Sequence, residues 1–113
     1  MELWSQFQVE ICSRFNSPVV PAHDEHRIGV ALSTLRRLPL NALRHPPAEF
    51  STGWFVWGGE YSDADDFFEP IHVRHLAHML PEVVPYLALA PGWRVQLAPN
   101  HEDVWYDEGL LDV

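Results

Sequence analysis

Between Gly58 and Pro70 the chain reads GGEYSDADDFFEP, which places the carboxylates Glu60, Asp63, Asp65, Asp66 and Glu69 within ten residues and no positive charge among them. Tyr61, Phe67 and Phe68 bracket these acids. Clustered carboxylates suit three kinds of chemistry: binding a hard cation, acid–base catalysis, and recognition of something basic. An EF-hand calcium loop needs an oxygen ligand at its position 5, glycine at position 6 and glutamate at position 12. Counted from Asp63, those positions hold Phe67, Phe68 and Arg74, so the calcium geometry is missing.

His72, His75 and His78 follow at intervals of three. Each step of three along a helix turns the side chain back by about 60°, so neighbours share a face while the outer pair diverges. Zinc motifs on a single helix instead use histidines four apart with a glutamate between them. His72 and His75 with acids of the 60–69 loop nevertheless define an alternative reading, a small metal-binding domain or metal-dependent hydrolase; the plainer one is a set of helix-surface histidines. Nucleophilic catalysis has less behind it. Cys12 is the single cysteine, without a nucleophile signature around it, and it rules out an intrachain disulfide. Ser33 and Ser51 lack a G-x-S-x-G context. Gly58 and Gly59 lack the further glycines of a phosphate loop and read as a turn. From these residue patterns hydrolytic catalysis has little support.

A second acidic stretch, NHEDVWYDEGLLDV, carries Glu102, Asp103, Asp107, Glu108 and Asp112 beside Trp105 and Tyr106. Together the two stretches hold ten of the sixteen acids and none of the seven arginines, in a chain whose net charge is −9. Nucleic-acid binding requires clustered Lys and Arg and is not expected. A basic protein partner is, because an acidic surface attracts it and accelerates encounter. The residues expected to meet that partner are Glu60, Tyr61, Asp63, Asp65, Asp66, Glu69, Glu102, Asp103, Trp105, Asp107 and Glu108. Trp54, Trp57, Trp93 and Trp105 each also read as core residues.

The elements that position these groups are partly visible. A 113-residue chain with 47% hydrophobic residues suits a single domain, residues 1–113, with one core. In residues 1–15, Leu3, Phe7, Ile11 and Phe15 recur at helical spacing while Phe7, Val9 and Ile11 alternate, and a strand is expected for the later half. NSPVVPAHDEHR reads as a loop and IGVALSTL as a strand. RHPPAEFSTG, with adjacent prolines, reads as an exposed connection. GWFVWGG is the clearest strand and suits the middle of a sheet. PIHVRHLAHML reads as a helix started by Pro70, with Asp66 or Glu69 at its positive end. PEVVPYLAL follows as a second short helix, PGWRVQLAP as a turn and strand, and EDVWYDEGLLDV as an aromatic segment with an acidic tail. The sum is a small single-domain α+β fold, a mixed or antiparallel sheet packed against two or three helices. The N-terminus lacks a basic region followed by an apolar one, and no window nears eighteen apolar residues, so a soluble cytoplasmic protein without membrane contact is expected.

The run GWFVWGGEYSDADDFFEPIHVRHL, followed by PEVVPYLALAPGWRV and EDVWYDEGLL and preceded by PLNALRHPP, resembles the immunity protein 33 domain family of bacterial polymorphic toxin systems. The resemblance spans residues 28–111 and leaves residues 1–27 as an unmatched N-terminal extension of the same domain. It implies an antitoxin-like protein that binds a cognate bacterial toxin, for instance a nuclease, and occludes its active or substrate-binding surface. It implies no catalytic residues and no cofactor.

Overall fold

Six strands form one mixed sheet in the computed structural model, which describes residues 2–112 and the side chains of residues 6–112. They are β1 (Arg27–Val30), β2 (Leu40–Arg44), β3 (Ser51–Gly58), β4 (Glu69–His72), β5 (Trp93–Ala98) and β6 (His101–Tyr106). Their order is β4-β1-β3-β2-β5-β6, with β1 parallel to β3 and the remaining neighbours antiparallel. Helices α1 (Glu2–Phe15) and α2 (Val73–Met79) and the 3-10 segment Pro81–Tyr86 pack on one face. This is the α+β arrangement expected, with the GWFVWGG strand at its centre.

Register across the sheet decides what each face carries. Val30, Val56, Ala42, Val95 and Val104 stand opposite one another in successive strands and form an apolar row beneath the helices. One residue along, the opposite face reads Pro70, Gly29, Phe55, Leu43, Arg94 and Trp105. The next row on that face is Trp57, Asn41, Gln96 and Asp103. The second face therefore grades from aromatic and apolar on β3 and β2 to polar on β5 and β6, as period-two alternation dictates.

Residues 2–15 are helical throughout, which overturns the strand expected for the later half. The inward stripe is Gln8, Ile11, Cys12 and Phe15, with Ile11 and Cys12 buried, Gln8 and Phe15 half-buried, and Gln8 donating to the Val84 carbonyl at 2.9 Å. Phe7 and Val9, which a strand would bury with Ile11, are 43% and 51% exposed. Leu3 lies outside the described side chains. The helix closes where Asn16 adopts φ 63°, with Ser17 N–H reaching the Cys12 carbonyl at 2.9 Å and Asn16 N–H that of Ser13. That is a Schellman cap with asparagine in the left-handed position.

Pro70 also behaves differently from its expected role. Residues 69–72 are extended and pair with β1, Ile71 opposite Ile28, and the helix begins only at Val73. A proline is tolerated on an outer strand because its missing N–H need not face a neighbour. No acid then lies in the first helical turn, so the proposed dipole contact of Asp66 or Glu69 is absent. The strand expected in IGVALSTL stops at Val30, since Thr34 turns its hydroxyl onto the Ala31 carbonyl at 2.7 Å and accepts from Gly58 N–H at 2.9 Å.

Arg44, placed by sequence in the exposed connection, is 2% exposed at the end of β2. Its phase is that of Leu40 and Ala42, so its side chain enters the main core. Its Nε donates to the Thr52 carbonyl at 2.8 Å, and one terminal nitrogen donates to Val20 at 2.6 Å and Leu89 at 2.8 Å. The guanidinium also lies 5.6 Å from the centroid of the Trp54 ring, and Trp54 Nε1 donates to the Leu87 carbonyl at 2.9 Å. Burial lowers the Arg44 pKa to about 10, which leaves it charged at neutral pH. Arg44→Leu should strand several buried carbonyls and lower the unfolding free energy by roughly 3–5 kcal/mol in urea titration. Arg44→Lys, keeping charge without the fork, should recover only part of that loss. A loss under about 1 kcal/mol in Arg44→Leu would show the carbonyls finding other partners.

Candidate functional site

Among the described residues no α-helix packs on the second face of the sheet. It is covered instead by the loop that leaves β3 and by the residues that follow β6. Gly58 allows the exit, because a Cβ there would collide with the Thr34 carbonyl oxygen. Gly59, at φ 69°, then turns the chain across the face. Tyr61 packs on Trp57 at 5.4 Å between ring centroids, Phe68 on Phe55 at 5.0 Å, and Phe67 on Phe68 at 4.8 Å. Leu110, in the 3-10 turn Glu108–Leu111, joins the same apolar cluster with Ala31, Leu43 and Trp57. His45 Nδ1 lies 2.9 Å from the Leu110 carbonyl.

This common footing places the acidic loop and the final acidic segment on one side of the molecule, although they come from regions some forty residues apart in the sequence. Glu60, Asp63, Asp65 and Asp66 are exposed in the loop, as is Glu69 at the start of β4. Among the described residues none of these five carboxylates makes an ion pair. Tyr61 is 58% exposed above the buried Trp57. A small pocket of about 150 Å³, lined by Leu43, His45, Phe55, Trp57, Tyr61 and Phe68, opens on this face.

The second stretch divides. Asp103 and Trp105 point to the open face, and Trp105 is 38% exposed, so it is not the core residue the sequence also allowed. Trp54 and Trp57 are core, and Trp93 is half-buried against it. Asp107 caps Gly109 N–H at 3.0 Å and pairs with Arg94 at 2.9 Å, while Arg94 lies over Trp105 at 5.7 Å. Glu108 is exposed. Glu102 faces the helix side, paired with Arg14 at 2.6 Å and accepting a hydrogen bond from the Tyr86 hydroxyl. The Tyr86 bond and Arg14 together lower the Glu102 pKa, against partial burial. Burial, then Glu102, raises that of Tyr86.

His72 and His75 sit with ring centroids 5.7 Å apart, but His72 is the residue before α2 rather than within it. Among the described residues no group of three His, Cys, Asp or Glu side chains is placed to hold a metal ion. Phe50 was not singled out by sequence. It is 64% exposed at φ 60° and lines a groove of about 530 Å³ with Phe55, Phe68, Pro70 and His72. A bulky residue at positive φ leaves no mark in composition or periodicity.

The Imm33-like domain family model matches residues 7–107. The match takes in α1 from residue 7 onward, which the motif resemblance had left out, and reaches the end of the sheet. No curated protein and no solved structure matches the chain.

The lowered pKa of Glu102 carries a pH consequence. Its ionised form gains stability on folding, so that contribution is present above its ordinary pKa of 4.5 and is lost as pH falls through the lower folded value. Glu102→Gln should therefore melt at a lower temperature than the parent chain at pH 7, with the gap closing toward pH 3. A gap independent of pH would show that packing, not the charge, is what Glu102 supplies.

Proposed function

The chain belongs to the Imm33-like domain family, whose name points to immunity proteins, and from that premise we propose that it binds and neutralises a cognate bacterial toxin. It does so as one domain, without catalysis or cofactor, in the cytoplasm, by covering the toxin's active or substrate-binding surface. The observation that carries this reading is the acidic loop standing unpaired on a packed aromatic base. Free carboxylates on a rigid support keep their charge available to a partner and lose little side-chain and loop freedom when it docks.

The electrostatics favour a basic toxin, a nuclease above all. Such an enzyme binds phosphate backbones through Lys and Arg, and carboxylates can occupy the positions where phosphates would lie. Asp63, Asp65 and Asp66 form the centre of the charged contact, with Glu60, Glu69, Asp103 and Glu108 around it. Tyr61 and Trp105 supply anchoring contact area, since partly exposed aromatics on a rigid base are efficient hot spots. Arg94 holds Asp107 and buttresses Trp105, so Arg94 and Asp107 act as supports. Glu102, turned to the other side, stabilises the fold.

The test takes the product of the neighbouring gene, which the immunity reading requires to end in a basic, enzyme-like toxin domain. Asp63→Asn, Asp65→Asn and Asp66→Asn combined should slow association by about tenfold at low salt and flatten its salt dependence, with dissociation and melting temperature little changed. Tyr61→Ala should instead act on dissociation, speeding it by about tenfold or more. Unchanged kinetics in the triple variant would remove the loop from the interface. Absence of binding to any such neighbouring domain would sink the immunity reading.

A further inference from the structure

The sheet has two outer strands, and they are built differently. β4 is four residues long and contains Pro70, which has no N–H to offer a neighbour. β6 runs six residues without proline or register shift, and among the described residues nothing pairs with its outer side. Its register shows which backbone groups are free. Ala98 faces His101, Gln96 faces Asp103, Arg94 faces Trp105, and Asp107 N–H donates to the Gly92 carbonyl at 2.7 Å. In an antiparallel ladder this phase directs the N–H and C=O groups of His101, Asp103 and Trp105 toward β5. Those of Glu102, Val104 and Tyr106 point outward, toward no strand.

We propose that β6 accepts an extended basic segment of a partner protein as an additional strand of the sheet. Main-chain pairing would supply much of the affinity and the alternating side chains the selectivity. The occupant follows from charge. Exposed Asp103 lies on the strand and Glu108 just beyond its end, in a chain of net charge −9. A second copy would bring the same net charge to the seam, whereas a segment with Lys or Arg opposite Asp103 would be attracted. Trp105 and Tyr106, 38% and 50% exposed on opposite faces, offer apolar contact to either side of such a strand. The inference rests on the immunity reading for the source of that segment, a toxin, but the pairing itself is testable without one.

The probe is a short capped peptide alternating arginine with valine, titrated into the full chain labelled with nitrogen-15. Amides of Glu102, Val104 and Tyr106 should become protected from hydrogen exchange. Methylating alternate peptide nitrogens, which keeps the charge and removes ladder donors, should weaken binding by about tenfold or more. Val104→Pro, which removes an outward N–H and leaves the β5 ladder intact, should abolish the protection; if that variant fails to fold, the methylated peptide on the parent chain decides the matter. Equal binding of the two peptides, no binding of either, or binding with β6 amides unprotected overturns the proposal. A toxin domain bound with those amides unprotected would also overturn it while leaving the immunity reading intact. A peptide paired on β6, with no neighbouring toxin bound, would uphold the pairing and remove the immunity reading.

Discussion

The guanidinium of Arg44 sits in the core with backbone carbonyls as its hydrogen-bond partners. Its contacts reach β3 through Thr52, the long N-terminal loop through Val20 and the stretch after the 3-10 segment through Leu89. These segments carry carbonyl groups that regular secondary structure does not satisfy, and burying an unpaired carbonyl is costly. A planar fork of five donors on one side chain satisfies several of them at once, in fixed directions that a compact lysine ammonium does not reproduce. Trp54 completes the arrangement by stacking near the fork and donating to Leu87. Because the irregular segments are held from inside the core, the helix layer can be thin: two α-helices and a 3-10 segment pack on the apolar face.

That economy leaves the other face of the sheet available. Its apolar centre, Phe55, Leu43 and Trp57, would be an aggregation hazard if bare, and the aromatic loop and Leu110 cover most of it. The covering segments have to stay soluble, so the positions pointing away from the sheet are polar, and here they are carboxylates. The same residues that shield the centre thus concentrate negative charge on one side. The arginines are mostly occupied elsewhere: Arg44 in the core, Arg14 on Glu102, Arg74 on Glu25 and Arg94 on Asp107. The surface ion pairs add little stability by themselves, as exposed pairs usually do. Their effect is to remove positive charge from competition for the loop carboxylates.

Much of this was legible in the sequence. GWFVWGG and its glycines marked the central strand and its exit, the charge segregation marked an acidic side, and the motif run pointed to the immunity family that the family match bears out. Local signals failed where two periods competed or where a proline had two uses. Phe7, Val9 and Ile11 alternate like a strand, yet the stripe that faces inward runs Gln8, Ile11, Cys12 and Phe15. Pro70 suits a helix start and an outer strand equally well, and pairing with β1 chose the strand. In both cases the neighbouring element made the decision.

The sequence by itself determined how much charge the protein carries, that it has an aromatic core and a mixed α and β composition, and which strand crosses its middle. These depend on residue type and on contacts within a few positions. Only the tertiary structure decided that Arg44 is buried, that Glu102 turns away from the acidic face while Asp103 stays on it, and that residues 60–69 and 107–112 share a side. Each of those depends on strand register, where a shift of one residue exchanges the two faces of a sheet. Register is set by partners distant in the chain, so no local pattern could reveal it.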